Sequence, residues 1–123
     1  MSSVLIVEDS EATRALIRNV IEDIGDDLNT TEAASGFEAL KLLPSESFDL
    51  IITDINMPDI NGLELINFIK TNERYSHIPL IIVTTEKSRE DKERGLALGA
   101  DAYVTKPFTT EELQEAITRI LKR

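Results

Sequence analysis

Leu50-Ile51-Ile52-Thr53-Asp54 is an apolar run that stops at a carboxylate, and three other stretches repeat its form. Val4-Leu5-Ile6-Val7 runs into Glu8-Asp9. Leu80-Ile81-Ile82-Val83 runs into Thr84, and Ala102-Tyr103-Val104 into Thr105, Lys106 and Pro107. Short continuous runs of Val, Ile and Leu bounded by turn residues read as strands covered on both faces, hence as a parallel sheet. Ligands of such sheets bind outside the carboxyl ends of the strands. Three carboxylates, a hydroxyl and a lysine, far apart in sequence, are therefore expected to meet at one edge.

The segments between these runs have helical periodicity. Leu16, Ile17, Val20, Ile21 and Ile24 stripe the first. Leu28 to Ala33 reads as a weaker strand, polar on alternate residues and so expected at an edge. Ser35-Gly36-Phe37-Glu38 has capping-box spacing and opens a second helix that Pro44 closes. Gly62 to about Asn72 is a third helix. Ser88 to Leu98 is a fourth, with Ser88 and Asp91 at its start and Gly99 after its end. Thr109 and Glu112 have capping-box spacing before the last, which Leu113, Ala116, Ile117, Ile120 and Leu121 stripe.

The expected fold is thus α/β, strand and helix alternating five times, with one sheet collecting all strands. Right-handed crossovers and helices on both faces favour a doubly wound, five-stranded parallel sheet. Its expected order is 2-1-3-4-5, the flavodoxin-like arrangement, which sets strands 1 and 3 side by side where the winding reverses. Glu8, Asp9 and Asp54 then converge there.

The chain has 123 residues, 41% of them hydrophobic, enough for one domain over residues 1–123 with its own core. It has no Cys, which excludes disulfides and thiolate chemistry. A net charge of -10 argues against nucleic-acid binding by this chain, which would need a basic footprint. No apolar run approaches the roughly 20 residues of a membrane span. The start Met-Ser-Ser-Val lacks a signal peptide's basic and apolar regions. A cytoplasmic protein with no membrane contact is expected.

Three carboxylates within a few ångströms repel one another and resist joint ionisation. A divalent cation resolves this. Oxygen ligands without His or Cys favour Mg²⁺, which keeps several waters and takes one or two carboxylates plus a phosphate oxygen. Lys106 adds a positive charge, and Thr84 a hydroxyl donor. A cation, a lysine and a hydroxyl around one carboxylate suit a transferred phosphoryl group, whose catalysis is mostly positioning and charge neutralisation. Asp54, at the centre, is the natural nucleophile, since carboxylates form aspartyl phosphates.

Six motifs span the chain: Val7-Glu8-Asp9-Ser10, Thr53-Asp54-Ile55-Asn56-Met57-Pro58, Gly62-Leu63-Glu64-Leu65, Val83-Thr84-Thr85-Glu86, Gly99-Ala100-Asp101-Ala102-Tyr103 and Lys106-Pro107-Phe108. In order and spacing the chain resembles a response-regulator receiver domain of the single-domain, CheY-like chemotaxis type. The resemblance implies a two-component switch in which Asp54 accepts a phosphoryl group from a histidine kinase. It implies that Asp9 binds Mg²⁺ directly, Glu8 through water and Asn56 through its backbone carbonyl. Lys106 would pair with the phosphoryl oxygens and Thr84 would hydrogen-bond one of them. Tyr103 would change rotamer, and the Lys106-Pro107 peptide would be cis, in keeping with the usual place of cis bonds. Thr85 stands where the family often has a smaller residue, so narrower access to the phosphoryl group is expected. Asn56, Thr85 and Glu86 would tune its lifetime. Such a domain assists its own phosphorylation and dephosphorylation and is otherwise no enzyme. It is expected to be a monomer whose downstream partner docks on the face of helix 4, strand 5 and helix 5.

Other readings compete. Asp9 and Ser10 could cap the first helix. Asp54 could be only a turn carboxylate, Lys106 a solvated charge and Tyr103 simple packing. His77 reads as an inert exposed histidine, and Ser88 to Arg94 as a solvated helix face. An Asp-nucleophile phosphatase of the haloacid-dehalogenase kind would place its acid-x-acid signature on the first strand, whereas Asp54-Ile55-Asn56 follows the third. A flavodoxin would need a hydroxyl- or Gly-rich phosphate loop after strand 1, where Glu8-Asp9 would repel phosphate. A relay step in a longer phosphotransfer chain, or a receiver cut from a larger regulator, stays open. The Asn-Met-Pro and Thr-Thr-Glu segments, with no output domain in the sequence, favour chemotaxis-type signalling.

Overall fold

The computed structural model of the chain describes residues 2–85 and 89–122. Five strands and five helices alternate: β1 Ser2–Val7, α1 Glu11–Ile24, β2 Leu28–Ala33, α2 Gly36–Leu42, β3 Leu50–Thr53, α3 Gly62–Thr71, β4 Leu80–Thr85, α4 Arg89–Leu98, β5 Ala102–Lys106 and α5 Thr110–Leu121. All pairings are parallel and the order is β2-β1-β3-β4-β5. The doubly wound sheet and the edge position of the polar strand β2 agree with the sequence reading.

Alternation along each strand divides the core in two. Leu5, Val7, Ile51 and Ile82 face the layer of α2 and α3, with Ala39, Leu65, Ile66 and Ile69. Val4, Ile6, Leu50, Ile52, Ile81, Val83 and Val104 face α1 and α5, with Ile17, Val20, Ile21, Leu113 and Ile117. In β3 and β4, residues 50–53 and 80–84 are all buried, which is why they read as continuous apolar runs.

Helix ends follow local chemistry. Ser10 Oγ accepts from Thr13 N at 3.3 Å, and Asn61 Oδ1 accepts from Leu63 N at 2.7 Å. The capping box of Thr109 and Glu112 is complete. That of Ser35 is half formed: Ser35 Oγ accepts from Glu38 N, but the Glu38 carboxylate turns to Ala34 N. Asp59, from the loop after β3, accepts from Gly36 N and Phe37 N, the first two amides of the helix.

Two expectations are corrected. Leu16 is exposed, because the stripe of Ile17, Val20, Ile21 and Ile24 already fills the core-facing arc and Leu16 falls about 100° to its side. In α4 the sequence offers Leu96, Ala97 and Leu98 as the apolar anchors, yet all three are exposed and the buried residues are Lys92 and Gly95. The expected start of this helix at Ser88 lies outside the described residues. Among the described residues, no helix is long and apolar enough to cross a membrane.

Candidate functional site

The chain leaves β1 toward β2 on one side and β3 toward β4 on the other, so the loops after β1 and β3 part and leave a cleft. Register sets its walls. Val7 pairs with Thr53, so Glu8-Asp9 and Asp54 emerge side by side, tied by Asp54 N donating to Val7 O at 3.1 Å. On the far side Thr84 pairs with Thr105 and Thr85 with Lys106.

One carboxylate oxygen each from Glu8, Asp9 and Asp54 lies within 4.8 Å of the others. Glu8 and Asp54 are buried and Asp9 is exposed. Lys106 bridges the buried two, its Nζ donating to Glu8 Oε1 at 2.5 Å and to Asp54 Oδ2 at 3.0 Å. Backbone amides hold the same groups from behind. Ile55 N donates to Asp54 Oδ1 at 2.7 Å, with Asn56 N at 3.4 Å, and Ser10 N donates to Glu8 Oε2 at 3.1 Å.

Electrostatics follow from this packing. Burial pushes the Glu8 carboxyl above its ordinary value, against the pull of Lys106 and with a further push from Asp9. Burial by itself lowers Lys106, but hydrogen bonds to Glu8 and Asp54, and their charges, outweigh it and raise the ammonium. The donor set is all hard oxygen, close enough for one ion to touch, and it carries more negative charge than Lys106 balances. It fits a hard divalent cation of the Mg²⁺ kind.

The sequence-predicted residues are placed as follows. Glu8, Asp9, Asp54 and Lys106 come together. Asn56 is exposed just beyond Asp54, and Thr85 is exposed at the end of β4. Thr84 is fully buried on β4, and its hydroxyl has no hydrogen-bond partner among the described residues. Tyr103 is 47% exposed, its ring turned outward. The Lys106-Pro107 peptide is cis. His77 is exposed. Glu86 lies outside the described residues. Ser10 is both cap and neighbour of the cluster, so the capping reading holds for it while Asp9 beside it belongs to the acidic group.

Two residues escaped the sequence reading. Arg14 donates through Nη1 to Glu8 O at 2.8 Å and through Nε to Glu32 at 3.3 Å, bracing the turn that presents Asp9. Its place one turn after the acidic pair is a usable signal. Lys92 was expected on a solvated face, yet it is buried and donates to Thr105 Oγ1 at 3.1 Å.

With known proteins the chain compares as follows. The family profile of the response regulator receiver domain matches residues 4–118. The chain is 39% identical to the chemotaxis protein CheY of Pseudomonas aeruginosa, over 98% of this chain and 96% of that protein. It is 40% identical to a segment of histidine kinase P4 of Formosa agariphila, over 98% of this chain and 9% of that protein. The structure of the chemotaxis response regulator CheY4 of Vibrio cholerae superposes with a TM-score of 0.88 at 36% identity, over 98% of each chain.

Proposed function

The chain belongs to the response regulator receiver domain family, and from that premise we propose a phosphoacceptor switch that takes a phosphoryl group from a histidine kinase onto Asp54. The observation that carries this reading is Lys106 held between Glu8 and Asp54, beside Asp9, at the mouth of the cleft. All of residues 1–123 serve as one receiver domain.

Asp9, Asp54 and the backbone carbonyl of Asn56 would hold Mg²⁺, with Glu8 acting through water. The cation would neutralise the acidic cluster and the charge that builds on the phosphoryl oxygens. A carboxylate oxygen of Asp54 attacks phosphorus in line with the phosphorus–nitrogen bond of the phosphohistidine. That bond breaks, and its electron pair stays on the imidazole. Lys106, placed 3.0 Å from Asp54, exchanges a carboxylate partner for a phosphoryl oxygen and stabilises it by a charge-assisted hydrogen bond. The buried Thr84 hydroxyl lacks a partner among the described residues and donates to another of these oxygens. Its movement leaves room for Tyr103 to turn inward. The change spreads over the surface of α4, β5 and α5, where a downstream partner docks. By the family resemblance, Asn56, Thr85 and Glu86 set how fast water removes the phosphoryl group from Asp54, a reaction the domain itself assists.

A monomeric cytoplasmic protein of chemotaxis-type signalling agrees best with the likeness to CheY proteins. The kinase-borne relative supports a second reading, an intermediate in a longer phosphotransfer relay. Incubation with acetyl phosphate, with and without Mg²⁺, tests the site by intact mass. One added phosphoryl group is expected, on wild type only and only with the cation. Full modification of Asp54→Ala, or of wild type in chelator, refutes the reading.

A further inference from the structure

We propose that Lys92 is a positioning residue of the switch: its ammonium, held between the Tyr103 ring and the Thr105 hydroxyl, keeps Tyr103 outward and so sets the resting population. This deepens the switch reading above and rests on it.

A lysine is rarely buried without an anionic partner, because desolvating an ammonium is costly. Lys92 is 8% exposed, and the partners that hold it are neutral. Nζ donates to Thr105 Oγ1 at 3.1 Å and sits 4.7 Å from the centroid of the Tyr103 ring. The ring's negative face attracts the cation, the more so out of water.

Gly95 explains how the helix comes so near. A Cβ there would lie 2.3 Å from Ile82 Cδ1, so glycine lets the α4 backbone rest on β4 at this point without displacing the Ile82 side chain. Lys92 stands three residues earlier, on the same helix face. The register of β4 and β5 pairs Ile82 with Tyr103 and Thr84 with Thr105. Side chains two apart on a strand share a face, so these four residues form one patch beneath α4. Lys92 grips two of them: the aromatic that moves and the register partner of the threonine whose hydroxyl is unpaired among the described residues.

With nearly half of its surface open, the Tyr103 ring is weakly held by packing alone. An interaction made in one conformation only biases the equilibrium toward that conformation by its own strength. An inward ring leaves the ammonium, so removing the ammonium favours the inward state.

The test follows the two tyrosines, Tyr75 and Tyr103, by fluorine NMR of 3-fluorotyrosine-labelled protein, assigned with Tyr103→Phe. Lys92→Met keeps the stem and deletes the charge, Lys92→Arg keeps a cation, and Thr105→Val deletes the acceptor. Each is titrated with beryllofluoride in saturating Mg²⁺. In Lys92→Met and Thr105→Val the unliganded Tyr103 resonance is expected to move toward its beryllofluoride-saturated position. The titration midpoint should fall about fivefold, as for a modest cation–π contact. Lys92→Arg should stay near wild type, and an unchanged Tyr75 resonance reports an intact core. An unmoved Tyr103 resonance with a wild-type midpoint, or a shift the other way, in folded Lys92→Met overturns the proposal. If that variant does not fold, Thr105→Val decides by the same criteria. A wild type whose Tyr103 ignores beryllofluoride removes the switch reading itself, and this proposal with it.

Discussion

Thr84 holds a hydroxyl that is fully buried and, among the described residues, unpaired. Such a group costs about 1–3 kcal/mol when left unsatisfied. Thr84→Val keeps the shape and deletes the hydroxyl. It is expected to stabilise the resting protein by about 1 kcal/mol in urea melts, while abolishing the tyrosine-fluorescence response to beryllofluoride. A destabilised variant would mean that the hydroxyl is satisfied after all. Lys106→Ala is expected to keep its affinity for Mg²⁺ or improve it, since Lys106 competes for the carboxylates that would bind the ion, and to lose the coupling to conformation. A tenfold loss of Mg²⁺ affinity with activation intact would contradict the role. The pH dependence has a definite sign. The Lys106 ammonium is held above its ordinary value of 10.5, so its contribution is complete below that value and is lost as pH rises through the higher folded one. Between those limits, wild-type stability should fall more steeply than that of Lys106→Met in alkaline urea melts. Glu8, Asp9, Asp54 and Lys106 were legible as a site because each ends a strand, where position follows from topology alone. Lys92 was not, because its burial depends on how closely α4 approaches the sheet, which no periodicity encodes.

Gly62 and Gly95 let α3 and α4 approach the sheet, but what each would strike differs. A Cβ on Gly62 would lie 2.2 Å from the Asp54 carbonyl oxygen and 2.6 Å from Ile55 Cα, both backbone atoms. On Gly95 the one close atom would be a side-chain end, Ile82 Cδ1 at 2.3 Å. Overpacking costs about 1–3 kcal/mol, so Gly62→Ala is expected near the upper end and Gly95→Ala near the lower. Urea denaturation measures this, and equal losses would contradict the distinction. Gly62→Ala should also weaken Mg²⁺ binding, because the atoms displaced belong to Asp54 and its neighbour. The strands were readable from composition because both faces are covered. The helix caps were readable from spacing at Thr109, and only half at Ser35, where the Glu38 carboxylate turns to Ala34 N while Asp59 from a distant loop accepts from Gly36 N and Phe37 N. The face of α4 was misread because its leucines sit on the open side and a glycine and a lysine on the packed one.

The whole molecule carries a net charge of -10, with three of its carboxylates gathered at one cleft. A cation that binds there stabilises the native state through mass action, by about 2.7 kcal/mol at a hundredfold excess over Kd. Mg²⁺ is therefore expected to raise the melting temperature more than NaCl of equal ionic strength, and Asp54→Ala should lose most of the difference. Equal effects of the two salts would indicate general screening alone. Fold class, strand order and cleft were legible together because parallel winding permits few topologies; the outward ring of Tyr103 was not, since a rotamer is chosen by the neighbours that tertiary packing brings. The strand order also bears on synthesis. Chains emerge amino end first, at about 5–20 residues per second. Glu8, Asp9 and Asp54 leave the ribosome well before Lys106, the residue that ties two of them together. For a few seconds the nascent chain holds the acids without their lysine, and intracellular cations are the counter-charge then at hand.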